Sequence, residues 1–203
     1  MLRHPLILAL CSLAMLALGA GCGEQSAERS HERAFLSAMV PHHRSALEMA
    51  EAARGRIEDP KLRKIQDAIT RTQAAEIRQM ERIHERLFGE PLKPDGGAHM
   101  QLGLSAKEAG MDHMDGAKSL RSSPPPADRR FVAEMVPHHR GAVAMARAVL
   151  PRTRDGELRK LAEEVIAAQQ REISTMEKVE ERRHAGPVTE GAGSGERGRE
   201  DPA

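Results

Sequence analysis

Tryptophan and tyrosine are absent from this sequence, and three phenylalanines are the whole aromatic complement of 203 residues. Strands and cross-strand pairs draw on aromatic side chains, so the composition argues against a β-sandwich or barrel. The same scarcity leaves few stacking platforms for single-stranded nucleic acid. An excess of one charge is lacking too: 31 Lys and Arg stand against 30 Asp and Glu, for a net charge of +1. No polyelectrolyte field attracts DNA or RNA, and nucleic acid is not an expected partner. Cysteine occurs twice, at Cys11 and Cys22. Two residue types are in surplus, with 11 Met and 10 His.

The N-terminus has the layout of a secretory signal. Arg3 and His4 precede an apolar stretch from Leu6 to Leu18, followed by Gly19, Ala20 and Gly21. Small residues before Cys22 match the bacterial lipobox, in which the cysteine becomes the lipidated first residue of the mature protein. Residues 1–21 are therefore expected to be a lipoprotein signal peptide, and Cys22 the site of an anchor at the cell envelope. Cys11 leaves with the signal and Cys22 carries lipid, so the mature domain has no free thiol. Disulfides and thiolate metal sites are thereby excluded. Loss of Arg3 takes the cations from 31 to 30, equal to the 30 acids. Any metal chemistry falls to His, Met, Asp and Glu.

An internal repeat organises the rest. Phe35, Met39, Val40, Pro41, His42, His43, Arg44, Ala46, Met49 and Ala50 recur 96 residues later as Phe131, Met135, Val136, Pro137, His138, His139, Arg140, Ala142, Met145 and Ala146. The same offset carries Gln73, Glu76, Ile77 and Met80 onto Gln169, Glu172, Ile173 and Met176. Apolar positions at spacings of three and four mark two helices per repeat. Gly55 and Asp59-Pro60 make the first turn, with Asp59 as N-cap and Pro60 at the first helical position. Asp155-Gly156 makes the second. Pro41 and Pro137 lie inside their helices, so each frees a carbonyl one turn earlier. The expected fold is all-α, a ferritin-like four-helix bundle at residues 31–184 built from hairpins 31–88 and 128–184. A linker at 89–127, with a short helix from Ser105 to Leu120, runs the length of the bundle. Residues 22–30 read as a tether, and 185–203, rich in Gly and charge, as a disordered tail.

Within one helical turn, Met39, His42 and His43 can converge on one point. Folding the first hairpin about residue 57 sets Gln73, Glu76 and Met80 in the same layer, and Met49 opposite Ile65 in an apolar layer. The second repeat groups Met135, His138, His139, Gln169, Glu172 and Met176, with Met145 opposite Leu161. Two adjacent histidines on a core face, given twice, are costly to bury without a partner. Glu76 and Glu172 serve either as ligands or as flank residues paired with Arg. Thioether suits Cu(I), and imidazole suits both copper oxidation states, so copper fits this set better than zinc or iron. A diiron site would want Glu-x-x-His on two helices. Glu28-x-x-His31 and Glu81-x-x-His84 occur, but the 96-residue shift puts Ala127 and Glu180 where those histidines stand. His99, Met100, Met111, His113 and Met114 form a second Met/His-rich patch, read as surface decoration or an auxiliary loading site.

The doubled Met-x-x-His-His-x-x-Ala-x-x-Met-Ala, with Gln-x-x-Glu-Ile-x-x-Met downstream, resembles the bacterial family named domain of unknown function 305. The resemblance implies a ferritin-like helical protein, secreted or membrane-tethered, and a part in periplasmic copper binding and resistance. The expectation is a lipid-anchored envelope protein that sequesters or shuttles copper and meets copper donor or acceptor proteins. A ferritin-like oxidase and a metal-free helical interaction module are the alternatives.

Overall fold

A computed structural model describes residues 20–184, with side chains from residue 26 onward. The expected signal peptide, the thiol of Cys22 and the tail at 185–203 lie outside the described residues. Four long helices make a bundle: α1 (Ala20–Ala52), α2 (Pro60–Phe88), α4 (Asp128–Val149) and α5 (Gly156–His184). A short helix, α3 (Gly116–Ser122), and 3-10 turns at Gly96–Leu102 and Met111–His113 occupy the linker. No strand occurs among the described residues. Within each hairpin α1 packs along α2 and α4 along α5, and the hairpins join through α1 on α4 and α2 on α5.

Local chemistry sets the helix ends. Asp59 accepts from the backbone N–H groups of Lys61 and Leu62, and Pro60 needs no donor at the first helical position. Gly89 ends α2 in the left-handed region at φ 70°. Pro41 cannot donate to the Ser37 carbonyl, and the N–H of Asp95 in the linker does so instead, at 2.9 Å.

The structure departs from two sequence expectations. Residues 22–30, read as a tether, do not lie outside the helix, since α1 already begins at Ala20. This extra length docks: Glu28 accepts from the Arg154 N–H at 2.8 Å, and Arg29 donates to the Leu87 carbonyl at 3.0 Å. Nor does one helix run from Ser105 to Leu120. The chain turns at Gly110 (φ 66°) and resumes helix only at Gly116. Backbone packing explains the break. A Cβ on Gly110 would lie 3.1 Å from the His138 carbonyl, and one on Gly141 only 2.3 Å from the Ala109 carbonyl. The linker at 109–110 therefore rests directly on the backbone of α4.

Each hairpin also closes the other's turn. Asp128, fully buried at the start of α4, accepts from the N–H groups of Glu58 (3.0 Å) and Asp59 (2.8 Å) and pairs with Arg183 at 2.8 Å. At the equivalent position of α1, Glu32 accepts from the Thr153 hydroxyl at 2.7 Å, and burial raises its pKa above the usual carboxylate value. Asp128→Ala leaves two turn N–H groups without their acceptor. It should cost about 3 kcal/mol, as hydrogen bonds to a charged group each contribute about 1.5–3 kcal/mol. A urea midpoint unchanged from wild type would contradict this.

Candidate metal centre

The two His-His pairs meet at the middle of the bundle. His42 and His43 lie on α1, and His138 and His139 on α4. The rings of His42 and His138 stack at 3.7 Å between centroids, tilted by 31°. His43 lies 6.4 Å from His42, and His139 lies 6.4 Å from His138. All four are fully buried. The crossing of α1 and α4 thus gathers the histidines of both repeats into one cluster.

The outer histidines are held by carboxylates. His43 Nε2 donates to Glu76 Oε2 at 2.8 Å, and His139 Nε2 to Glu172 Oε2 at 2.7 Å, pairs separated by 33 residues in both repeats. The hairpin register thus placed Glu76 and Glu172 in the histidine layer, where each faces a histidine. A carboxylate accepting at Nε2 keeps the proton there and leaves the lone pair on Nδ1. Nδ1 of both His43 and His139 is buried and unpartnered.

The inner pair has no such support. Neither nitrogen of His42 or of His138 makes a hydrogen bond of normal geometry. Burial pushes the pKa of both well below the ordinary histidine value, and neighbouring histidines push the same way. Backbone groups of His138 and Ala109 offset this only in part at His42. Gln73 and Gln169, also buried, carry unpartnered amide atoms. Each orphaned polar group costs on the order of 1–3 kcal/mol, so a cluster of them signals a use other than stability.

The methionines divide between two apolar clusters. Met39 and Met80 are fully buried in an apolar cluster with Met145 and Leu161, and Met135 and Met176 in another with Met49 and Ile65. Met39 and Met49 fall in different clusters, as the register of a single hairpin predicts. Across the two hairpins, the methionine of one repeat's histidine motif shares a cluster with the other repeat's second methionine. Register within one hairpin carries no information about that crossing.

The linker closes over the cluster. Ala109 is fully buried, Gly110 lies on the His138 backbone, and Ser45 of α1 donates to the Met114 carbonyl at 3.0 Å. Of the linker's Met/His patch, His99 bonds within its own turn to the Gly96 carbonyl. His113 lies 3.4 Å from Glu134, and Met100 is 69% exposed. Among the described residues no three His, Cys, Asp or Glu side chains form a ready metal cage. The centre is a set of buried, unsatisfied nitrogens, and the methionines of both repeats are buried in the two apolar clusters.

The family model described as Domain of unknown function (DUF305) matches residues 32–180. The chain belongs to the DUF305 family. Its fold is similar to that of CopM in the Cu(I)-bound form, with 30% identity and a TM-score of 0.59 over 74% of this chain and 95% of that one. CopM in the Cu(II)-bound form gives 29% identity and 0.59 over the same shares. A DUF305 protein from Streptomyces coelicolor gives 26% and 0.64, over 74% of this chain and 92% of that one. A curated relative, uncharacterized protein L153 of Acanthamoeba polyphaga mimivirus, is 35% identical over 52 residues, 26% of this chain. That match spans about a third (34%) of the viral protein's length. No helix among the described residues is long and apolar enough to cross a membrane.

Proposed function

We propose that this DUF305 protein sequesters copper at the cell envelope, in one central site to which both repeats contribute. The observation that carries the reading is the stacked His42–His138 pair, buried with all four ring nitrogens unpartnered. Neutral imidazoles with free lone pairs are metal ligands, and a low pKa keeps them neutral. His43 and His139 offer Nδ1, while Glu76 and Glu172 orient those rings and act through them. Met39, Met80, Met135 and Met176 supply soft sulfur to Cu(I) after side-chain rotation. Support also comes from CopM, similar in fold and solved in Cu(I)- and Cu(II)-bound forms. Copper is cargo in this reading, and zinc and iron match the mixed donor set less well.

The test is copper binding by the purified domain, with Cu(I), Cu(II) and Zn(II) competed side by side. Replacing His42 and His138 should abolish Cu(II) binding. Replacing Met39 and Met135 by Leu should weaken Cu(I) more than Cu(II), because thioether favours the softer ion. Full copper binding by the double-histidine variant would end the proposal. The envelope location rests on Cys22 as a lipid anchor, since each buried acyl methylene contributes about 0.8 kcal/mol. Cys22→Ser should move the protein from the membrane to the soluble fraction, and an unchanged membrane fraction would rule the anchor out.

A further inference from the structure

The two repeats are covered unequally on their outer faces. In the first, Pro41 frees the Ser37 carbonyl, and the linker lies over it: Asp95 donates to that carbonyl, and Ala98 and Leu102 are buried. Ser37 is 8% exposed there. In the second repeat Pro137 frees the Ala133 carbonyl in the same way, but Ala133 is exposed. Val132, Val136 and Pro137 wall an open groove of about 680 Å³, rimmed by Arg140, Glu177, Glu181 and His184. Among the described residues no segment occupies it.

We propose that the segment after α5, centred on residues 187–194, docks in this groove and covers the second repeat as the linker covers the first. Three observations select this occupant. The helices end at equivalent places, Phe88 for α2 and His184 for α5, 96 residues apart. His184 itself lines the groove, so the chain leaves α5 at its edge. Asp95 follows Phe88 by seven residues, and the same count from His184 reaches Gly191, the residue whose N–H a docked segment would offer to the Ala133 carbonyl. The sequence keeps part of the pattern, with Pro187-Val188 where the linker has Pro91-Leu92. Ser194 and Gly198 stand where the linker has Ala98 and Leu102, so this cover buries less apolar surface and binds more weakly.

Amide hydrogen exchange on the full mature chain tests this without reference to metal. Amides of residues 188–195 should exchange about tenfold or more slowly than in a free peptide of residues 185–203. Val136→Glu in the groove and Val188→Asp in the segment should each return them to the peptide rate. Val188 follows the end of α5 in sequence, so Val188→Asp should leave the protection of α4 and α5 intact, which separates undocking from misfolding. Exchange at the free-peptide rate in the unaltered chain would overturn the proposal. Protection that grows with protein concentration would also overturn it, by assigning the groove to a second copy.

Discussion

Replacing His42 and His138 together by leucine should make the metal-free protein more stable. The two imidazoles bury four nitrogens with no hydrogen bond of normal geometry, and each unsatisfied group costs about 1–3 kcal/mol. Even the lower figure sums to roughly 4 kcal/mol over four groups. Leucine has a similar volume and no polar atom, and an imperfect fit against the neighbouring side chains costs about 1–3 kcal/mol. A net gain of about 1–3 kcal/mol should appear as a higher urea midpoint for the chelator-treated protein. The same substitution removes the proposed copper ligands, so stability and binding should move in opposite directions. A variant that is less stable than wild type without metal would show that the histidines hold the core together by bonds of their own.

The second large effect is on acid stability. His42 and His138 stay neutral in the folded protein because burial holds their pKa well below 6.5. An unfolded chain takes up both protons as the pH falls through about 6.5. Below that point the unfolded state binds more protons than the folded one, so stability is full above pH 6.5 and falls as the pH drops. Two protons give a limiting slope of about 2.7 kcal/mol per pH unit. Glu32 works in the opposite direction. Its folded pKa is raised above 4.5, so between those two values the folded state binds the extra proton and gains stability as the pH falls. That single partly buried carboxyl offsets the histidines only near the acid end. Urea titrations from pH 7.5 to 5 should show the steep loss in wild type, and the leucine double variant should be nearly flat. An equally steep loss in both would place the acid sensitivity elsewhere.

What the sequence made legible was whatever depends on a single helix or a single hairpin. Spacings of three and four located the helices, Asp59-Pro60 fixed a cap, and the fold about residue 57 set Glu76 beside His43. Contacts between hairpins were not legible, because periodicity gives a buried face without naming its partner. Thus the His42–His138 stack and the shared methionine clusters emerge only from the crossing of α1 on α4. Glu32 and Asp128 belong to the same class. Each reads as an ordinary acid near a helix start, and its partners lie in the other hairpin's turn. The one available signal was that both positions are acidic at the repeat offset. Gly110 and Gly141 hid for a related reason: a close backbone approach needs two glycines far apart in sequence, and neither is unusual alone.

The linker's path over the histidines bears on why the two hairpins are joined in one chain. Two identical hairpins meeting as a homodimer would place His42 against its own copy on a twofold axis. Any segment lying across that axis would have a symmetry mate competing for the same space. Here the crossing is made once, and the residues beneath it differ. Gly141 admits the backbone of Ala109, while Ser45, its equivalent in the first repeat, donates to the Met114 carbonyl. A symmetric dimer cannot hold glycine at one of these places and serine at the other. Covalent fusion lets the two halves diverge there, so that a single asymmetric cover closes an otherwise nearly symmetric centre.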